Sequence, residues 1–367
     1  MKKSLLILLF TCWALFFAAF RPVMPFAAET AAFPDGTPVT GGRILMGTIG
    51  EPSNLIPYMA SDSASGEITG LLYVAPLKYD KDLNVVPWAA ASYEVLEGGR
   101  LLRFVLRDDI RWEDGVPLTA DDVEFTYKLM IDPKTPTAYS GDFLAIESFK
   151  KTGRLSFEVR YAKPFARSLM TWMGAILPKH VLEGQDIMTT PVARKPIGAG
   201  PYRLAKWDAG SMLTLTASDT YFEGRPNLDE VVYRIIPDPS TMFLELKAGK
   251  LDMMSLSPQQ YLRQTQGPQW ERDWRKYRYL SFSYTFLGFN LEHPFFKDVR
   301  VRRAISMAID RQSLIDGVLL GQGVPTVGPY KPGTWAYNDK LTPVRQDVDE
   351  ARRLLDEAGW KKNKDGL

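Results

Sequence analysis

Cysteine is nearly missing from this chain. The single Cys12 lies inside an apolar N-terminal run, so the remainder offers no disulfide, no thiolate nucleophile and no cysteine-based zinc site. Histidine is almost as scarce, with two in 367 residues. His180 and His293 stand far apart, each near a proline. Neither belongs to an HExxH motif or an i, i+4 metal pair, so each reads as a structural histidine. A GxSxG elbow, a Walker loop and a GxGxxG fingerprint are also missing. The carboxylate pairs Asp108/Asp109, Glu113/Asp114 and Asp121/Asp122 fall in turns or caps, where acids are expected without catalysis. They make no case for the converging pair that glycoside hydrolysis requires. Charge of one sign is not in excess either: 45 Lys and Arg face 43 Asp and Glu. That balance gives no electrostatic reason to expect nucleic acid or an anionic membrane surface as a partner. Arg300, Arg302 and Arg303 share a helical stretch with apolar positions and read as a solvated face.

What is present begins with Lys2 and Lys3 ahead of an apolar run from Leu5 to Phe20, a layout that reads as a secretory signal peptide over residues 1–28. The run is short for a membrane span, which takes about 20 residues. An uncleaved anchor is the competing reading, because Phe26 is a poor residue near a cleavage site after Ala28. Cys12 sits mid-run, not at its end, so it reads as part of the signal and not as a lipid attachment site. A chain of this length can build a large core without disulfides.

The richest stretch is Leu101–Tyr127. Leu102, Phe104 and Leu106 alternate with Arg103, Val105 and Arg107, the period of a half-buried strand. Glu113-Asp114-Gly115 is a turn signal. Thr119 and Asp122 form a capping box that opens a helix over 119–131, which ends before Asp132-Pro133. Further along, residues 42–49 read as a strand, 154–160 as another, and 165–173 as a helix. Pro196-Ile197-Gly198-Ala199-Gly200-Pro201 specifies a rigid turn into strands at 202–206, 212–217 and 231–236. Ser240 is expected to cap a helix stopped by Gly249. Residues 279–290 read as a strand, and Ala304, Ile305 and Ala308 mark one face of a helix. Asp347 and Glu350 cap a last helix that Gly359 stops.

The Trp112-Glu113-Asp114-Gly115 turn between a strand and a capped helix resembles the signature region of the periplasmic dipeptide/oligopeptide-binding proteins that serve ABC importers (solute-binding protein family 5). Leu177-Pro178-Lys179-His180, Ile197-Gly198-Ala199-Gly200-Pro201-Tyr202, Tyr221–Asp229, Leu246–Asp252 and Pro294–Asp310 resemble further motifs of that family. The resemblance implies an α/β fold with mixed sheets. Its architecture would be a two-lobe Venus flytrap of the periplasmic-binding-protein type, carrying an extra peptide-binding-type subdomain. The implied domains are a signal at 1–28, a discontinuous lobe I at 29–70 plus 185–275, lobe II at 71–184, and the start of an incomplete lobe III at 276–367. It implies a periplasmic, monomeric, non-enzymatic protein with no cofactor. Such a protein captures an oligopeptide or similar small solute and delivers it to an inner-membrane permease. Family members also take sugars, haem or chelated metal.

Residues expected to line the cleft are Glu51, as partner of a cationic group, Tyr139, Trp172 and Met173 as pocket walls, and Phe289 and Asn290 at a strand end. Ordinary core or turn packing competes with the ligand role at each. The sequence stops where family members continue, without the acidic residue that pairs with a peptide's terminal ammonium. A truncated remnant that binds a partner, or a secreted hydrolase, are the alternative readings.

Overall fold

The computed structural model describes residues 38–334 and 336–361. The expected signal peptide, Cys12 and the last six residues lie outside that range. Among the described residues no helix is long and apolar enough to cross a membrane. The chain separates into two units, the first ending at Ser255 and the second beginning at Leu256.

Two four-stranded sheets and a small ribbon organise the first unit. The opening strand, β1 (Arg43–Thr48), is followed by helix α1 (Ser63–Leu72) and the ribbon β2 (Leu77–Tyr79) and β3 (Val85–Pro87). An antiparallel sheet then forms from β4 (Ala90–Leu96), β5 (Leu101–Leu106), β6 (Ile146–Lys151) and β7 (Ser156–Tyr161), in the order β4-β5-β7-β6. Between β5 and β6 lie helices α2 (Ala120–Ile131) and α3 (Ser140–Leu144), and after β7 come the single turns α4 (Ser168–Thr171) and α5 (Lys179–Leu182). The chain returns through β8 (Tyr202–Asp208), β9 (Met212–Ala217) and β10 (Glu230–Ile235) to helix α6 (Pro239–Lys247). Here β10 pairs in parallel with β1, Arg43 opposite Glu230, so the first sheet takes strands from both ends of the unit.

The alternation read from residues 101–107 has its cause in the second sheet. Leu102, Phe104 and Leu106 are buried, and Phe104 stacks on its cross-strand partner Phe157 with centroids 4.8 Å apart. On the opposite face Arg103 stands between Glu94 and Glu158 and bonds both at 2.9 Å. One face therefore packs and the other stays charged, which fixes the register.

Three sequence motifs turn out to be one another's partners. Thr119 and Asp122 form the expected capping box of α2. Asp122 is buried, and while Oδ2 accepts from Thr119 N at 2.8 Å, Oδ1 accepts from Lys179 N at 3.0 Å. One turn on, Thr126 Oγ1 accepts from Leu177 N at 2.9 Å. Burial pushes the Asp122 carboxyl up from its usual range, countered by these backbone donors. The Leu177–His180 segment is thus held by α2. The turn at Trp112–Gly115 closes with a Gly115 N to Trp112 O bond of 2.8 Å. It exchanges bonds with the Gly198 backbone: Glu113 N donates to Gly198 O at 2.8 Å, and Gly198 N to Glu113 Oε1 at 3.3 Å. Gly200 N in turn donates to Leu72 O at the end of α1, at 2.8 Å. A Cβ on Gly198 would collide with the Leu72 carbonyl, and one on Gly200 would lie 2.6 Å from Leu72 C. The glycines are there for close backbone approach, not for φ freedom.

Several sequence expectations shift. Residues 165–173 contain only the short α4, and the cap of α6 is Asp238, accepting from Thr241 N at 2.7 Å, with Pro239 at the first helical position. Pro at that position suits a helix start, which moves the start ahead of Ser240. Helix α1 was not expected at all.

The second unit has no strand among its described residues. It contains α7 (Pro268–Asp273), α8 (Pro294–Lys297), α9 (Val299–Ala308), α10 (Arg311–Gly317) and α11 (Val348–Glu357). Helices α9 and α11 pack through Val301, Ala304 and Ala351, with Arg300 Nη1 donating to Glu357 O at 2.7 Å and Asp347 N to Met307 O at 2.9 Å. The strand expected at 279–290 is not formed. No described strand of this unit runs beside it to complete a ladder, and Tyr279, Phe282 and Phe286 stay largely exposed. A strand's backbone groups need such a neighbour.

Because the backbone of Leu72 leaves no space, Gly198→Ala should cost at least about 2 kcal/mol, as overpacking does. A thermal melt of the purified chain should fall by roughly 4 °C or more. An unchanged melting temperature would contradict the tight contact.

Candidate functional site

The loop from Gly50 to Ser61 and helix α1 together border a groove of the first unit, through Pro57, Gly66, Thr69 and Gly70. The loop is tied down before it reaches the helix. Asp62 caps α1, accepting from Ser65 N at 2.7 Å and from the Ser53 and Ser65 hydroxyls. Burial raises the Asp62 carboxyl, but these hydrogen bonds outweigh it and leave the group below its ordinary value. Leu55 N donates to Ala193 O at 3.0 Å, and Tyr58 OH to Ala175 O at 2.8 Å.

Beside α1 lies a cavity of about 200 Å³. Its walls include Pro57, Gly66 and Gly70 of the helix, Tyr73, Trp88 and Met173. Its volume is below the roughly 300–1,000 Å³ of ordinary small-ligand pockets, enough for one ring or side chain and not for a whole peptide. A second void, bounded by Tyr58, Phe143 and Trp172, measures about 10 Å³ and has no room for a solute group.

The residues expected to touch ligand fall into different settings. Met173 lines the larger cavity. Tyr139 is 45% exposed, meets Tyr58 edge-on with centroids 6.2 Å apart, and donates its hydroxyl to Ala60 O at 3.3 Å. It therefore shares the Tyr58–Ala60 loop with the cavity's Pro57 wall. Trp172 is only 3% exposed and is ringed by Phe104, Phe143, Phe149 and Phe157 at 5.3–6.2 Å. Packed this way, its indole is part of the core of the second sheet and presents no open face. Glu51 has its acceptors in use. Oε1 takes Trp207 Nε1 at 2.7 Å and Oε2 takes Gly210 N at 3.1 Å, while Arg194 lies over the Trp207 ring at 3.9 Å. That arrangement clamps the loop to the β8–β9 hairpin. In the second unit Phe289 packs on Phe296 at 5.1 Å, and Asn290 turns the chain, its Oδ1 accepting from Glu292 N at 3.0 Å.

The two histidines are both engaged in structure. His180 Nε2 lies 2.7 Å from Asp114 Oδ2, and His293 Nδ1 accepts from Phe295 N at 3.3 Å at the start of α8. No group of three His, Cys, Asp or Glu among the described residues is placed to hold a metal ion.

Sequence reasoning missed Trp88 as a wall. Its indole nitrogen donates to Tyr221 OH at 3.0 Å and Glu223 Oε2 at 3.2 Å. Lys78 Nζ reaches the same carboxylate at 2.6 Å and sits 5.3 Å from the Trp88 ring. Tyr221 OH donates to it at 2.6 Å. Burial raises the Glu223 carboxyl, but bonds from Lys78, Tyr221 and Trp88 more than offset it, so the group is held below its ordinary value. A Trp sixteen residues after α1 has no local signal; only the fold brings it to Tyr221 and Glu223.

The chain belongs to the bacterial extracellular solute-binding proteins, family 5, whose middle-region model matches residues 84–367. Its fold is the α/β fold of the periplasmic binding proteins. Among curated relatives, it is 33% identical over 341 residues to the oligopeptide-binding protein AppA of Bacillus subtilis, covering 90% of this chain and 62% of that protein. It is 32% identical over 348 residues to protein XP55 of Streptomyces lividans, covering 93% and 61%. Among solved structures, AppA of B. subtilis in complex with a nonapeptide matches with a TM-score of 0.81 at 32% identity, covering 90% of this chain and 67% of that one. NikZ of Campylobacter jejuni in complex with Ni(L-His) matches with a TM-score of 0.77 at 28% identity, covering 88% and 64%. The chain thus spans a little over three-fifths of the length of these curated relatives, 62% and 61%.

A carboxyl held low in the folded state adds stability above its unfolded value, and that stability drains away as pH falls through the folded value. The Glu223 contribution should therefore be present at pH 7 and lost on acidification below about 4, where a carboxylate protonates. Glu223 is partly exposed, so its share should be about 1 kcal/mol or less. Glu223→Gln should lower stability at pH 7 and narrow the gap between pH 7 and pH 3.5 in urea titrations. An unaltered gap would show that the Lys78–Glu223–Trp88 cluster carries no such linkage.

Proposed function

We propose that this chain forms the capture region of an extracytoplasmic binding protein that takes oligopeptides, or a similar small solute, and delivers them to an ABC import permease. The observation that carries the reading is the 33% identity to an oligopeptide-binding protein over 90% of this chain. Family membership, in a group defined by solute binding, supports a non-enzymatic role. It also favours a place outside the cytoplasmic membrane, in the periplasm.

In this reading residues 29–70 with 185–275 make lobe I, 71–184 lobe II, and 276–367 the start of lobe III. Solute contacts on more than one lobe would favour a closed state, a population shift set by differential affinity. The closed, monomeric form is what a permease would recognise. Of the expected ligand residues, Met173 and Tyr139 are carried forward as pocket walls, and Phe289 and Asn290 as candidates on the second unit. Glu51 serves the loop clamp, and Trp172 supports Met173 from the core.

Extended peptides are held through main-chain hydrogen bonds with side chains in pockets. The purified chain, signal removed, should therefore retain peptides from a mixed tri- to nonapeptide pool during gel filtration and release them uncut on denaturation, as read by mass spectrometry. A bound fraction without peptide after exposure at millimolar pool concentration would overturn the peptide reading. Shortened peptides in the pool would point to a hydrolase.

A further inference from the structure

The 200 Å³ cavity beside α1 has walls of one chemical kind. Every residue lining it is uncharged: Pro57, Tyr73, Trp88, Met173 and the glycines are joined only by small neutral residues. Two of the polar side-chain atoms there are already committed: Trp88 Nε1 donates to Tyr221 and Glu223, and Thr69 Oγ1 donates to Ser65 O at 2.8 Å. The Tyr73 hydroxyl has no hydrogen-bond partner, but it is sealed from solvent and so out of an entering group's reach. A charged group entering this space would lose part of its water without an oppositely charged side chain in the lining to replace it. The size also discriminates, since an apolar cavity of about 150 Å³ is large enough for benzene.

We propose that this cavity is a binding pocket for an uncharged aromatic ring, stacked against the Trp88 indole and the Met173 thioether. Rings favour such neighbours, through offset contacts with indole and through sulfur–aromatic contacts. The bare backbone at Gly66 and Gly70 forms the helical side of the pocket. An added Cβ at either position meets no atom within 4 Å, and neither glycine has a positive φ. Only the identity of the ring's carrier, a side chain of the captured solute, rests on the solute-binding reading. The pocket itself does not.

The two glycines supply the test. A leucine at position 70 or 66 raises helix propensity relative to glycine, has open space at its Cβ, and should occupy the space the ring needs. The probe is 5-fluoroindole, titrated into the signal-free chain and followed by fluorine NMR. A ligand of this size should bind with a Kd on the order of 0.1–1 mM. Gly70→Leu and Gly66→Leu should weaken that binding at least about tenfold, a change of about 1.4 kcal/mol. Their melting temperatures should match or exceed that of the unsubstituted chain. Indole-3-acetate, with its added carboxylate, should bind more weakly than 5-fluoroindole. No binding of 5-fluoroindole to the unsubstituted chain, or equal binding to both leucine variants, overturns the pocket. Retention of a Phe- and Trp-containing peptide pool is measured on the same samples. Loss of indole binding with peptide capture intact would overturn the solute as the ring's source. Absence of peptide capture with indole binding intact would sink the solute-binding reading and leave the pocket standing.

Discussion

The contact between the Leu72 carbonyl and the backbone of Gly198–Gly200 is the constraint on which the first unit depends. It joins the end of α1, the start of β8 and, through Glu113, the turn after β5. Two peptide segments approach too closely for any side chain, and the buried backbone groups satisfy one another there. Burial pushes the Glu113 carboxyl up, and the Gly198 amide opposes the shift. Since β8 leads through β9 to β10, and β10 pairs with β1, this one junction sets where both sheets stand around the loop that bounds the cavity.

A second junction works by the same logic with side chains in place of bare backbone. Asp122 serves α2 as part of its capping box and serves the Lys179 amide as an acceptor. Thr126 does likewise for Leu177. His180 then meets Asp114 from the turn that Glu113 anchors. The residues by which the chain resembles its family are largely these junction residues. They hold the geometry of the frame, and Met173 and Trp88 line the cavity between them.

Much of the frame was legible from sequence because its signals are local. The period of two at 102–106, the Thr119/Asp122 box and the Gly-Pro turn at 196–201 each imply their structure within a few residues. Helix α1 escaped because Gly66 and Gly70 lower helix propensity and because its cap, Asp62, works through Ser53 and Ser65 without a capping-box acid. The strand at 279–290 was over-read, since alternation and aromatic content describe a strand's surface and not its neighbour. The site was less legible than the frame. Glu51 and Trp172 have residue types suited to ligand contact, but the fold spends one on a clamp and the other on a core. Trp88 and the helix glycines become walls only through contacts that sequence spacing does not encode.

The most direct measurement of the central junction is native-state hydrogen exchange at single-residue resolution on the signal-free chain. The Gly198, Gly200, Leu177 and Lys179 amides should exchange as slowly as those inside β5 and β9, because opening them requires separating the sheets they join. Exchange at rates typical of exposed loops, with β5 and β9 still protected, would contradict the account and leave these motifs as surface turns.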